Sequence, residues 1–86
     1  MSEDAFQAAA DRVKSLKSSP SNAELLKLYA LFKQGSVGDV QGSRPGAFKL
    51  RDRAKYDAWA EVKGTSTTDA KSQYIALVDD LVKRLG

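Results

Sequence analysis

Neither histidine nor cysteine occurs among the 86 residues. Without cysteine there can be no disulfide framework and no thiolate metal site. Without histidine the commonest metal ligand is missing, together with the side chain that most often acts as general base near neutral pH. Serine and threonine are plentiful, but nothing can activate them in the usual triad. The segment GSVGD lacks the lysine and hydroxyl residue of a phosphate-binding loop and follows no strand. Asp79 and Asp80 point to different sides of one helix and read as solvated charges. The expectation is a protein that is not an enzyme and needs neither metal nor cofactor.

Long apolar runs are also lacking. No stretch approaches the roughly 20 residues that span a bilayer, and the N-terminus MSEDAFQAAADRVKSLK is acidic and amphipathic, unlike a secretory leader. A soluble, cytoplasmic protein with no stable membrane insertion is expected. A chain this short holds one domain, here residues 2–86, and buries only about 60% of its unfolded surface, so its stability should be modest.

Charge is present but unevenly placed. Residues 1–43 carry five acidic and five basic groups and residues 64–86 carry three of each, so the net +3 lies wholly in residues 44–63. There Arg44, Lys49, Arg51, Arg53, Lys55 and Lys63 face only Asp52, Asp57 and Glu61. The asymmetry suits an anionic partner, although a solvated face of mixed charge would look the same.

Four segments have helical period. Phe6, Ala9, Ala10, Val13 and Leu16 mark residues 3–17, which Ser18-Ser19-Pro20 closes. Ser21 and Glu24 form a capping-box pattern for a second helix from Asn22 to about Ser36. Its apolar residues Leu25, Leu28, Tyr29 and Phe32 fall within about 100° of one another. Residues 35–49 hold four of the six glycines and one of the two prolines, which predicts a long connection, ordered or partly so. A third helix over 51–63 is stopped by Gly64. The fourth starts at an N-cap Ser66, and its stripe is Ala70, Tyr74, Leu77, Val78, Leu81 and Leu85, widened by Ile75 and Val82. An all-α fold of four helices follows.

Cations and aromatic residues share faces. Lys55 is flanked within about 60° by Ala58, Trp59 and Val62, so an ammonium sits in an otherwise inward stripe. It requires an anion or a route to solvent; snorkelling would provide the latter. Tyr29 and Lys33 are four residues apart with Phe32 between them. A ring beside a cation can hold a nucleotide, but two core aromatics with a solvated lysine would give the same pattern. Nucleic acid is not the expected partner, because the charge excess is small and the basic residues do not line one helix face. The rival of another class is a non-catalytic helical protein-interaction module.

The stretch LKLYALFKQGSVGDV at 26–40 resembles the acyl-CoA-binding protein family signature Y-x-x-Y/F-K-Q-x-x-x-G-D. The likeness continues through RPG at 44–46, AKYDAWAEVKGTS at 54–66 and QYIALV at 73–78. It implies a four-helix bundle running up-down-down-up, with a long loop between helices 2 and 3. It further implies a monomeric intracellular carrier and pool former for medium- to long-chain acyl-CoA esters. Carried over by position, Tyr29, Lys33 and Lys55 would meet the ribose 3′-phosphate, Phe32 would stack on adenine, and Tyr74 would reach the ligand from helix 4. Lys14 and Arg51 match basic positions near the phosphates. Phe6, Ala10, Val13 and Leu25 match positions lining the acyl groove. Three departures stand out: Phe32 replaces a frequent tyrosine, Tyr56 a common tryptophan, and Arg51 a usual lysine, which keeps charge but changes geometry.

Overall fold

The structure is a computed structural model that describes residues 3–86, so Ser2, the expected start of the domain, lies outside the described residues. It contains four helices: α1 (Glu3–Val13), α2 (Asn22–Ser36), α3 (Leu50–Glu61) and α4 (Thr67–Leu85). The elements are those expected; α1 and α3 end earlier than expected, and α3 starts one residue sooner. The period of α1 persists to Leu16, but after Val13 the chain tightens into three-residue turns, Lys14 N–H to the Asp11 carbonyl and Ser15 N–H to that of Arg12. Lys17 and Ser18 then donate to the Leu85 carbonyl, docking this segment on the end of α4. α3 ends at Glu61 rather than at Lys63. Turns through Val62 and Lys63 lead to Gly64, whose φ of 92° only glycine adopts easily.

The caps explain the sharp starts. The Ser21 hydroxyl accepts from Glu24 N–H while the Glu24 carboxylate accepts from Ser21 N–H, completing the capping box. The Ser66 hydroxyl accepts from Asp69 N–H. α3 starts at Lys49 with no side-chain cap.

Contacts give the directions. Phe6 meets Tyr74, Arg12 pairs with Asp79, and Lys17 reaches Leu85, so α1 and α4 run parallel. Glu24 pairs with Arg84 and Gln34 bonds to Thr65, so α2 runs against α4. Leu50 and Arg51 lie beside Asn22 and Leu25, with Trp59 beside Gln34, so α3 runs with α2. The order is up-down-down-up. Backbone neighbours form the row α1–α4–α2–α3. Three gaps of about 9 Å make a row about 27 Å wide, consistent with Cα extents of 35 × 27 × 15 Å. The fold is thus an open, flattened bundle whose edge helices, α1 and α3, have no backbone contact among the described residues.

The core is Phe6, Ala9, Leu28, Leu31, Tyr74, Val78 and Leu81, with Ala10, Val13, Leu16, Phe32, Val62, Ile75, Leu77, Val82 and Leu85 packed around it. Of the expected α2 stripe only Leu28 is fully buried. α2 turns Leu28, Ala30, Leu31, Gln34 and Gly35 inward, leaving Leu25 exposed and Tyr29 and Phe32 half-buried. It therefore has more apolar surface than its core contact uses. Gly35 packs closely where it stands: a Cβ there would lie 3.1 Å from both the Phe6 ring and Lys71 Cγ, so those side chains would have to shift by a few tenths of an ångström.

The long connection is well tied. Gln34, only 1% exposed, donates to Asp39 (2.9 Å) and to the Thr65 carbonyl (2.7 Å), and accepts from the Trp59 indole (3.1 Å). That indole also donates to the Gly38 carbonyl at 2.8 Å, and Asp39 accepts from Gly64 N–H at 2.8 Å. Further along, Arg44 forms a bidentate pair with Asp57 (2.8 and 2.7 Å) and the Tyr56 hydroxyl donates to Gly42. The loop is ordered by these bonds rather than by a core of its own.

Candidate functional site

The surplus apolar face of α2 and the first half of α3 form the walls of an open cleft of about 500 Å³. Asn22, Leu25, Leu26 and Tyr29 line it from α2; Leu50, Arg51, Ala54 and Lys55 line it from α3. The volume lies within the range of about 300–1,000 Å³ typical of small-molecule sites. Four of the residues expected at a site, Leu25, Tyr29, Arg51 and Lys55, are therefore brought together.

The cations are arranged reciprocally across the α2–α3 seam. Lys55 of α3 places its Nζ 5.4 Å from the Tyr29 ring of α2, and Lys33 of α2 places its Nζ 5.2 Å from the Trp59 ring of α3. Because the helices are parallel, the two pairs lie about one turn, or 5.4 Å, apart. Lys55 is exposed, so of the two requirements of an ammonium in that stripe it meets the route to solvent. At this height the stripe of α3 borders the open cleft, so the lysine reaches water instead of the core. Ion pairs engage Arg12 with Asp79, Arg44 with Asp57, and Arg84 with Glu24 and Asp80. Asp79 and Asp80 are thus surface carboxylates with fixed partners. Lys33, Arg51 and Lys55 have no ion-pair partner among the described residues. Lys33 and Lys55 thus face one seam, each over an aromatic ring of the other helix, with Arg51 in the cleft wall beside them.

The other expected residues are placed elsewhere. Phe6 and Phe32 stack at 5.2 Å with 20° between their planes, and Tyr74 meets both edge-on at 5.3 and 5.7 Å. Phe6 and Tyr74 are buried in the core, and burial pushes the Tyr74 phenol above its ordinary value. Ala10 and Val13 are half-buried against the same core. Lys14 is exposed in the turn after α1. Leu26, Leu50, Ala54 and Asn22 line the cleft without having stood out in the sequence. Leu50 and Ala54 are one turn apart on α3, and that spacing was the available signal, obscured by the intervening charges. The Gln34–Trp59–Asp39 lock was also missed, although its residues fall within the quoted motifs.

Comparison with known proteins agrees with this architecture. Residues 3–78 match the family described as acyl CoA binding protein. The chain is 56% identical over 81 residues to acyl-CoA-binding protein homolog 1 of Caenorhabditis elegans, covering 94% of each chain. It is 48% identical over 79 residues to the acyl-CoA-binding protein of Saccharomyces cerevisiae, covering 92% of this chain and 91% of the relative. The crystal structure of Oryza sativa acyl-CoA-binding protein 2 superposes with a TM-score of 0.91 at 41% identity, covering 95% of this chain and 91% of that one. Alike in sequence and in backbone along nearly its whole length, the chain belongs to the acyl-CoA-binding protein family.

Proposed function

We propose that this protein binds medium- to long-chain acyl-CoA esters at the α2–α3 cleft and serves as a non-catalytic, monomeric cytoplasmic carrier of them. The observation that carries this reading is the placement of Arg51 and Lys55 in the wall of an open, largely apolar cleft with Lys33 along the same seam, none of them ion-paired among the described residues. Two ammonium groups about a turn apart repel one another until a polyanion lies between them. A phosphate near Tyr29 supplies that charge, so Tyr29, Lys33 and Lys55 are assigned the ribose 3′-phosphate and Arg51 the neighbouring phosphates, with Lys14 an outlying contribution. The accessible part of Phe32 takes the adenine, with Tyr74 supporting it from below. The acyl chain starts along Leu25 in the cleft wall and extends toward Ala10 and Val13, which are half-buried against the core around Phe6.

The magnitudes are sufficient. Ten half-buried methylenes contribute roughly 4 kcal/mol, and each charge-assisted phosphate contact about 1.5–3 kcal/mol. Nanomolar affinity requires about 12 kcal/mol net of association costs, so head group and tail must both engage. Titration calorimetry with palmitoyl-CoA, coenzyme A and palmitate tests the reading. One-to-one binding of the ester, with much weaker binding of either part, is expected. Equal affinity for palmitate and its ester would refute the head-group site, and absence of binding would favour a protein-interaction module.

A further inference from the structure

Phe48 is fully exposed and Leu50 is 73% exposed, the highest values among the large hydrophobic side chains described. Single exposed apolar residues are ordinary on protein surfaces. These two differ in their setting, on either side of Lys49 in the turn that opens α3, where Lys49 N–H donates to the Gly46 carbonyl at 3.0 Å. Leu25, 44% exposed near the start of α2, lines the same cleft as Leu50.

The electrostatics of the turn are equally unusual. The N-terminal end of a helix carries partial positive charge and favours anions, yet α3 begins with Lys49, Arg51 and Arg53 against Asp52 alone and has no side-chain cap. Neither Lys49 nor Arg51 is ion-paired among the described residues. In water the dipole, the side-chain charge and the bare ring are all unfavourable together. An anionic lipid surface relieves all three, because headgroup phosphates neutralise the cations and the interfacial layer receives Phe48 and Leu50.

We propose that the turn at residues 47–51 docks this protein peripherally on anionic membranes. Leu50 and Arg51 also line the cleft, so docking presents the opening of the cleft to the lipid. No helix among the described residues is long and apolar enough to cross a membrane, and the contact is therefore an edge-on anchor. A protein partner fits less well, since a specific interface needs about 800 Å² on each side and this tip offers two or three apolar side chains. Docking requires no ligand in the cleft, so its failure is separable from failure of the acyl-CoA reading.

The test is flotation of the intact, ligand-free protein with phosphatidylcholine vesicles, either pure or containing about one-third phosphatidylserine, at low and physiological salt. Binding to the anionic vesicles alone, weakening as salt rises, is expected. Phe48→Ala should lower partitioning about tenfold, equivalent to about 1.4 kcal/mol, with palmitoyl-CoA affinity unchanged. Lys49→Ala should lower it about fivefold. In Phe48→Trp the added emission should shift to the blue on anionic vesicles, over a steady background from the buried Trp59. Binding indifferent to headgroup charge, or unaffected by Phe48→Ala, overturns the proposal. So does a wild-type protein that stays unbound at low salt, which would leave the exposed ring to a protein partner.

Discussion

Replacing Lys55 with methionine separates the binding role of this residue from any structural one. Its side chain is exposed, makes no ion pair among the described residues and places its ammonium 5.4 Å from the centre of the Tyr29 ring. An exposed cation–π contact is worth about 0.5–1 kcal/mol. In a domain this small, 1 kcal/mol moves the melting temperature by about 4–8 °C, so the unliganded variant should lose a few degrees. A buried lysine in an apolar stripe would have behaved oppositely, since its removal relieves a desolvated charge. With ligand the effect is larger, because one charge-assisted phosphate contact of about 1.5–3 kcal/mol disappears. That corresponds to about 10- to 150-fold in Kd. Calorimetry with palmitoyl-CoA measures the loss, Lys55→Arg should recover part of it, and palmitate affinity should not change. Unaltered palmitoyl-CoA affinity in a folded Lys55→Met protein, or equal losses for ester and free acid, would refute the phosphate assignment.

The Phe32 ring both stacks on Phe6 and meets Tyr74. Phe32→Ala should therefore cost stability near or below the low end of the ~3–5 kcal/mol range for buried rings, and the folded fraction should bind acyl-CoA about 1–3 kcal/mol more weakly. Phe32→Tyr should change affinity by less than about 1 kcal/mol; an unchanged affinity for Phe32→Ala would mean that the ring packs without stacking on adenine. Trp59→Phe leaves the Gly38 carbonyl and the Gln34 amide oxygen without their donor and should lower stability by about 1–3 kcal/mol in urea unfolding followed by circular dichroism; a neutral result would remove the lock from the account. The Asp39 carboxyl is held below its ordinary value by Gly64 N–H and the Gln34 amide. A depressed acid stabilises the fold above its unfolded value of about 3.9, and that contribution is lost as pH falls through the lower folded value. Melting temperature should thus be steady from neutrality to about pH 5 and fall below about pH 4, less steeply in Asp39→Asn; an identical acid limb in the variant would contradict this role.

Much of the fold was legible because its signals are local. The Ser21 and Ser66 caps, the α4 stripe and the glycine-marked connection each depend on neighbours a few residues away, and each stands where expected. The rotation of α2 was not legible. Its wheel shows apolar residues over more than one face, and only the partners α3 and α4 decide which of them meets the core. Whether Lys55 meets an anion or water was undecided in the sequence for the same reason, because whether a stripe faces protein or a cleft depends on the next helix. The Gln34 lock joins positions 25–31 apart in sequence, beyond the reach of any periodicity. Of the site, the ring-and-cation pairing was visible within α2. Its mirror image on α3 became apparent only once the two helices were set parallel.

The arrangement of stability explains why the cleft lies where it does. α4 is the longest helix, is capped, and packs against α1 on one side and α2 on the other. α3 packs on α2 alone among the described helices, has one fully buried residue and no side-chain cap, and carries cations against its own dipole. It is held by Trp59 in the Gln34 lock and by the Arg44–Asp57 clasp from the loop. Local unfolding draws on the elements with the fewest buried contacts, so the wall of the cleft formed by α3 is also the least secure part of the fold. A polyanion bridging Lys33 of α2 to Arg51 and Lys55 of α3 would add a further cross-helix tie at that point. Binding and the stability of α3 are on this view one coupled equilibrium, because a ligand that binds the closed seam stabilises it by mass action.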